Sequence, residues 1–301
     1  LEVGEIFIPQ TTNLRSQTNF MPRVITPPAE EILDKEFKCL DKGFVRLVDY
    51  MGGDESIVQA ARVSYGKGTK SVSEDRGLIR YLMRHLHTTP FEMVELKFHC
   101  KLPIFVARQW IRHRTANVNE YSGRYSVMKD EFYVPSLEAI HFQSASNKQG
   151  RDEDEVPIEI RQQIIDELFS EQTTSYNNYE KFLGLNIARE LARINLPVSL
   201  YTEWYWKIDL HNLFHFLRLR IDAHAQFEIR VYAEALAEIT KCVAPIAYEA
   251  FEDYILKSEK FSRLEMNVLK TLLLQKDLSD EELLQFGLGK REAEEFREKM
   301  K

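Results

Sequence analysis

The sequence predicts an α+β fold, a central, mostly antiparallel sheet flanked by long helices. Two observations point there. Strand-like runs rich in aromatic and β-branched residues, or alternating polar with apolar, recur at 44–50, 95–102 and 200–208. Long stretches with helical character, about 157–183 and 225–254, are interleaved with and follow them. The chain has 301 residues, 44% hydrophobic and 29% charged, so a sizeable core is feasible.

The elements follow in chain order. Residues 1–36 read as an arm, rich in Thr, Asn, Pro and Gln, with Pro9, Pro22, Pro27 and Pro28 breaking any regular period. Compact structure is expected from about Phe37, and a catalytic domain over 37–255. Phe44–Tyr50 reads as a strand, Gly52-Gly53 punctuates it, and Asp54 is placed to cap a helix through Ala61. Residues 75–87 read as a helix ending in a His-rich turn before Pro90. Glu95–Leu102 alternates polar with apolar, and Pro103 then stands where a helix would start, with IFVARQWIRHR beyond it. Residues 143–156 (QSASNKQGRDEDEV) read as a polar loop or insertion. Helices are expected over Pro157–Leu183 and Ile187–Ile194, and a strand over Leu200–Ile208. Asp209 can cap a short helix, and Ala225–Tyr254 is helical with a break at Pro245. Residues 256–301 read as a charged helical extension with its own capping box, Ser279-x-x-Glu282.

Charge and cysteine usage exclude some functions. The net charge of −7 argues against a general nucleic-acid binder but not against a local cationic pocket. Cys39, Cys100 and Cys242 are scattered and odd in number, which suits a reducing cytoplasm better than a disulfide framework. No basic-then-apolar leader and no run of 18 apolar residues is present, so no membrane partner is expected.

Chemistry concentrates in RQWIRHRTANVNEYSGRYS, residues 108–126, with four arginines, a histidine, a glutamate, two serines and two tyrosines. On a helix Arg108 and Arg112 would share one face, with Arg114 where that helix should end. A loop such as Ser122-Gly123-Arg124 brings backbone N–H groups close to a phosphate, and Arg124 can grip it with a bidentate fork. The bland alternative is an arginine-rich surface helix paired with nearby acids. The adjoining Ser-Gly-Arg-Tyr loop and aromatic neighbours weigh against it.

Arg112-His113-Arg114, seven residues, then Ser122 resembles the RHRx7S signature of the flavin-dependent thymidylate synthases. AARVS (60–64), HTTPFE (87–92), LARINLP (191–197) and RIDAHAQFEI (220–229) resemble further blocks, so the likeness spans about 38–255. The resemblance implies the fold of that family. It implies reductive methylation of dUMP to dTMP, with FAD as cofactor and NADPH and methylenetetrahydrofolate as co-substrates. A cytoplasmic homotetramer with active sites shared between subunits is implied as well. Carried over residue by residue, Gln109, Arg112, Glu120, Ser122, Gly123, Arg124, Arg193 and Arg220 match dUMP positions. Ser64, Thr89, Glu92, Arg112, His113 and Arg114 match FAD positions, and His87 matches a histidine near flavin and folate. His224 takes a flavin-proximal role. Where relatives carry an asparagine pair before the RxDxHAQ block, Asp209 and His215 stand here with His211 between them. His211 and His215 are therefore expected at the flavin. Catalysis is expected to rest on Arg220 polarising the uracil, Ser122 orienting it, and His87.

Two other classes compete. One is a metal-dependent nucleotide hydrolase using His85, His87, His113, Asp222 and His224. His211 and His215 are four apart like metal ligands, but no Glu follows His211 as in HExxH, so no metal is expected. The other is an RNA-contacting or nucleotide-sensing protein, which would bind polynucleotide in a salt-sensitive way without turnover. Bound flavin would count against both.

Overall fold

The computed structural model describes residues 24–63, 72–144, 150–264, 266, 269–270, 279–285 and 288–300. By contacts the chain divides into two compact units, one up to Leu256 and one from Lys257 onward. The first is α+β, as the sequence predicts. Its five-stranded sheet has the order β1-β2-β3-β7-β4, with β1 at Phe37–Cys39, β2 at Gly43–Met51, β3 at Glu95–Pro103, β4 at Asn117–Glu120 and β7 at Tyr201–Asp209. All four pairings are antiparallel. A second ribbon pairs β5 (His141–Gln143) with β6 (Arg151–Glu155). The helices of this unit are α1 (Pro27–Ile32), α2 (Asp54–Ala61), α3 (Val72–Arg84), α4 (Ile104–Trp110), α5 (Ile158–Gly184), α6 (Arg189–Ala192), α7 (Leu210–Arg220), α8 (Phe227–Val243) and α9 (Pro245–Phe251). No helix among the described residues is long and apolar enough to cross a membrane.

The alternation in β2, β3 and β7 sets the two faces of the sheet. Val45, Leu47, Leu96, Phe98, Trp204 and Trp206 turn inward to one hydrophobic core shared with α7 and α8. Trp110, fully buried at the end of α4, packs edge-on against Trp204 and Trp206 at 5.5 and 5.1 Å and tilts over Phe216 at 4.9 Å. Aromatic burial of this size is worth several kcal/mol, and it anchors the arginine-rich turn that follows Trp110. Gly43 has a specific reason: a Cβ there would stand 2.0 Å from Tyr232 Oη. That hydroxyl donates to the Lys101 carbonyl at 2.8 Å and ties α8 to the sheet.

Several sequence expectations need correction. Ordered structure starts before Phe37. Pro27 and Pro28 open α1 instead of breaking structure, because a first-turn proline loses no helical N–H bond. Ala29 of that helix is fully buried, and Thr26 Oγ1 donates to the Val243 carbonyl at 3.2 Å. Asp54 does not cap its own helix; Gly53 holds that position. The Asp54 carboxylate instead accepts from the backbone N–H groups of Ile246 and Ala247, at 2.8 and 2.9 Å, and so caps α9. Burial raises this carboxyl to about 6 despite both bonds. Residues 151–155 are a strand, not loop, because they complete the ribbon with His141–Gln143. Helix α4 stops at Trp110, so Arg112 lies beyond it and does not share a helix face with Arg108.

Other expectations hold. Asp209 caps α7, its carboxylate accepting from Asn212 N–H at 2.9 Å. The helical stretch after Ala225 breaks at Pro245. The unit from Lys257 contains helices at Asp280–Gln285 and Lys290–Met300. We propose that it is dispensable for folding of the first unit. Truncation after Leu256 is expected to leave a protein that unfolds in one cooperative thermal transition. Loss of that transition in the truncated chain would make the extension part of the fold of the first unit.

Candidate functional site

Three side-chain clusters stand on this frame. The first begins where α4 unwinds. Ile111 N–H still bonds the Ala107 carbonyl, but Arg112 and His113 N–H groups bond the Gln109 and Trp110 carbonyls three residues back. This tightening swings His113 against α7, with its ring 4.8 Å from Phe216 and 5.9 Å from His215. Arg220, at the last turn of α7, donates Nε–H to His113 Nε2 at 3.1 Å. Burial first, then the charge of Arg220 and the neighbouring His215, press the His113 imidazole down to about 4. It is therefore neutral at pH 7 and able to accept that bond. Arg112 and Arg114 on either side are exposed.

The sign of this shift gives a testable outcome. A histidine whose folded pKa lies below its unfolded value stabilises the fold fully above pH 6.5 and loses that contribution as pH falls towards 4. We expect ring NMR of the folded protein to show His113 unprotonated at pH 5.5, with its proton on Nδ1. Titration near 6.5 would mean that the bond from Arg220 does not persist in solution.

The second cluster is the loop after β4. Glu120 ends the edge strand, and its Oε1 accepts from Thr202 Oγ1 at 2.8 Å. The chain then turns, with Tyr125 and Ser126 N–H groups both bonding the Ser122 carbonyl at 3.1 Å. Ser122 Oγ accepts from Arg124 N–H at 3.4 Å. Gly123 is buried beneath the side chain of Arg193: a Cβ there would lie 2.7 Å from Met128 Sδ and 3.0 Å from Arg193 Cδ. Arg124 pairs with Glu190 at 3.2 Å, and Arg189 Nη1 donates to the Tyr125 carbonyl. One short loop thus gathers Arg124, Arg189 and Arg193, the donor set for a multiply charged anion.

The third cluster lies at the end of α3. Arg80 holds α3 to Glu249 in α9 and to Asp253 just beyond it, at 2.8 and 2.7 Å. Leu86 takes a left-handed φ of 58°, and the bonds from Leu86 N–H to the Met83 carbonyl and His87 N–H to the Leu82 carbonyl close the helix. That turn brings His87 to a pocket of about 140 Å³ shared with His211, His215 and Arg218, over an apolar floor including Phe91 and Phe214. His215 belongs to this pocket and also touches His113, so the first and third clusters are continuous.

The structure brings most of the expected residues into these clusters, though not all. Thr89 and Glu92 lie in the 3-10 turn Thr89–Met93 beside the pocket, Thr89 exposed and Glu92 half-buried. Ser64 lies outside the described residues. His224 is exposed, and its Nδ1 and backbone N–H both face Asp222 Oδ1, at 2.9 and 2.8 Å. Asp209 is occupied as the cap of α7. For a hydrolase, the histidines are dispersed: His85 stacks near Tyr81, His113 bonds Arg220 and His224 faces Asp222. Among the described residues no three His, Cys, Asp or Glu side chains converge as a metal would require.

Sequence reasoning missed Arg189, Glu190, Arg218, Gln226, Glu228 and Arg151. Glu228 left the clearest trace, a carboxylate set between Phe227 and Ile229 at the start of α8. Arg151 left none, since it lies in the stretch read as a loop.

The fold has a counterpart among solved structures. A UMP/dUMP methylase, PolB from Streptomyces cacaoi bound with 5-Br UMP, matches with a TM-score of 0.66 and 33% identity, covering 74% of this chain and 99% of that one. The sequence profile of the family described as thymidylate synthase complementing protein matches residues 46–246. A relative from Ehrlichia ruminantium (strain Gardel), named flavin-dependent thymidylate synthase, is 57% identical over 280 residues, 93% of each chain. One of the same name from Treponema denticola is 58% identical over 269 residues, 89% of this chain and 98% of its own. The chain belongs to the flavin-dependent thymidylate synthase family, a family of methyltransferases.

Proposed function

We propose that this protein converts dUMP to dTMP, with methylenetetrahydrofolate as one-carbon donor and NADPH-reduced FAD as hydride source. The observation that carries the reading is the convergence of Arg124 and Arg193 on the Ser122-Gly123-Arg124 loop. Two guanidiniums beside this tight turn, on a protein of net charge −7, suit a nucleotide monophosphate. The phosphate takes the place of Glu190 as the partner of Arg124, and Glu120 closes the site on the sugar side.

Arg220 acts at the base. His113 takes its Nε–H, which leaves both Nη groups for a uracil carbonyl oxygen, where charge builds as C5 attacks the carbon donor. Ser122 Oγ already accepts from a backbone N–H, so its own proton is free to orient the nucleotide.

The donor set of the third cluster fits part of a flavin. Imidazoles of His87, His211 and His215, and the guanidinium of Arg218, rim an apolar floor suited to a flat ring. At about 140 Å³ the pocket holds one ring system and not a dinucleotide, since sites for ligands of drug size run to roughly 300–1,000 Å³. The rest of FAD needs the exposed Arg112 and Arg114, Ser64, Thr89, Glu92 and His224, and surfaces from a second subunit. This is consistent with a homotetramer of shared sites. When bound, FAD supplies the hydride that turns the transferred carbon into a methyl group.

No protein thiolate is required. Burial pushes the Cys39 thiol up to about 12, and it raises Cys100 and Cys242 as well, against the lowered pKa a nucleophile needs. Replacing all three with alanine is expected to leave dTMP formation within about threefold of the parent for whatever fraction folds, a change below 1 kcal/mol. A folded, FAD-bound triple variant without activity would overturn this. The direct test of the function is to incubate the protein with FAD, NADPH, methylenetetrahydrofolate and dUMP and to assay dTMP. Formation that depends on all four supports the reading, and folded, flavin-loaded protein yielding none would refute it.

A further inference from the structure

Gln109 is tied to a polar chain, rooted in one buried carboxylate, that the proposed reaction does not use. Glu228, only 3% exposed, opens α8. Its Oε1 accepts from Tyr133 Oη at 3.1 Å and from Arg151 Nη2, and its Oε2 accepts from Gln226 Nε2 at 2.8 Å. Gln226 Oε1 in turn accepts from Gln109 Nε2. Arg151 comes from β6 and lies over the Phe227 ring at 5.2 Å, so the two-stranded ribbon reaches the nucleotide end of the molecule through this contact.

The chemistry of the chain runs one way. An ionised carboxylate only accepts, so Gln226 must turn its NH₂ to Glu228 and its carbonyl oxygen to Gln109. Gln109 must then give an N–H to Gln226, which fixes both ends of its amide. The Glu228 carboxylate meets Arg151 and the Tyr133 phenol at the N-terminal end of α8. Burial and the adjacent carboxylate hold that phenol protonated, with its pKa raised. Turning the Gln226 amide over would set its carbonyl oxygen against the buried Glu228 carboxylate, so the buried end of the chain holds the exposed end in one orientation.

We propose that Glu228, Gln226 and Arg151 are positioning residues that fix the amide of Gln109 for the nucleotide. The inference rests on Gln109 contacting dUMP. Its consequence is that a ribbon residue read from sequence as part of a loop sets nucleotide affinity from behind the site, without touching the ligand.

The test is dUMP binding by calorimetry and steady-state kinetics on the full, FAD-loaded protein. Glu228→Gln keeps the shape but gives the chain a third amide, one that can flip and no longer dictates the orientation of Gln226, and Arg151→Met keeps the apolar stem over Phe227. Each is expected to weaken dUMP binding about tenfold, the scale of one charge-assisted bond, with kcat within about twofold and flavin binding unchanged. Gln226→Ala is expected to do the same in the parent but to have no further effect in a Gln109→Ala background, because Gln226 acts through Gln109. Gln226 is exposed, so this pair stays informative even if the Glu228 variant does not fold. Full additivity of the two alanine changes, or unchanged dUMP affinity in Arg151→Met and Gln226→Ala, would overturn the inference while leaving the proposed reaction standing. Failure of the parent itself to bind dUMP would instead remove the nucleotide reading, and this inference with it.

Discussion

Replacing Arg220 with alanine is expected to slow dTMP formation by about two to three orders of magnitude, the usual cost of losing a donor aimed at developing charge. The change removes the group proposed to polarise the uracil and is expected to leave the fold intact, because Arg220 is half-buried at a helix end rather than in the core. It also has a signature independent of turnover. Arg220 is the second cause, after burial, of the low pKa of His113. Its removal should therefore let His113 titrate closer to 6.5, which ring NMR reads directly. Arg220→Lys should not rescue the rate, since a single ammonium cannot serve His113 and a planar carbonyl together. An Arg220→Ala enzyme with parental kcat would take Arg220 out of the chemistry.

Arg124→Ala is expected to act on binding instead. Losing a charge-assisted contact to phosphate costs about 1.5–3 kcal/mol, so the KM for dUMP should rise roughly 10- to 150-fold. Flavin affinity should stay unchanged. In the free protein Arg124 is exposed and its ion pair with Glu190 is a surface one, so the substitution removes little stability. The penalty should shrink as salt is added, because the lost attraction is itself screened. A KM for dUMP equal to the parent's would make Arg124 an ordinary surface residue.

Much of the fold was legible because period and punctuation agreed. The alternation of Glu95–Leu102 gave β3, and the apolar aromatic run from Leu200 gave β7. Asp209 announced the start of α7 and Pro245 the break between α8 and α9. The misreadings came from contacts distant in sequence. Asp54 looks like a cap for the helix that follows it, yet its partners are 192 and 193 residues away. Residues 151–155 have strand character only because His141–Gln143 is there to pair with them. Pro27 and Pro28 read as breakers, though a proline is equally at home opening a helix.

The site shows the same division. Its chemical identities were legible, since Arg112-His113-Arg114 and Ser122-Gly123-Arg124 are local. Their partnerships were not. No local pattern pairs His113 with Arg220, 107 residues on, or lays Arg193 over Gly123. His113 was expected at the flavin, and in the single chain its Nε2 belongs to Arg220.

The most direct test of the account is a single turnover without oxygen. FAD-loaded protein, reduced with NADPH and freed of excess, is mixed with dUMP and methylenetetrahydrofolate while flavin absorbance and dTMP are followed. The account predicts that flavin reoxidises only when both substrates are present, with about one dTMP formed per flavin oxidised, the stoichiometry of one hydride per methyl group. Reoxidation without dTMP, or dTMP formed by protein from which flavin has been removed, would contradict it.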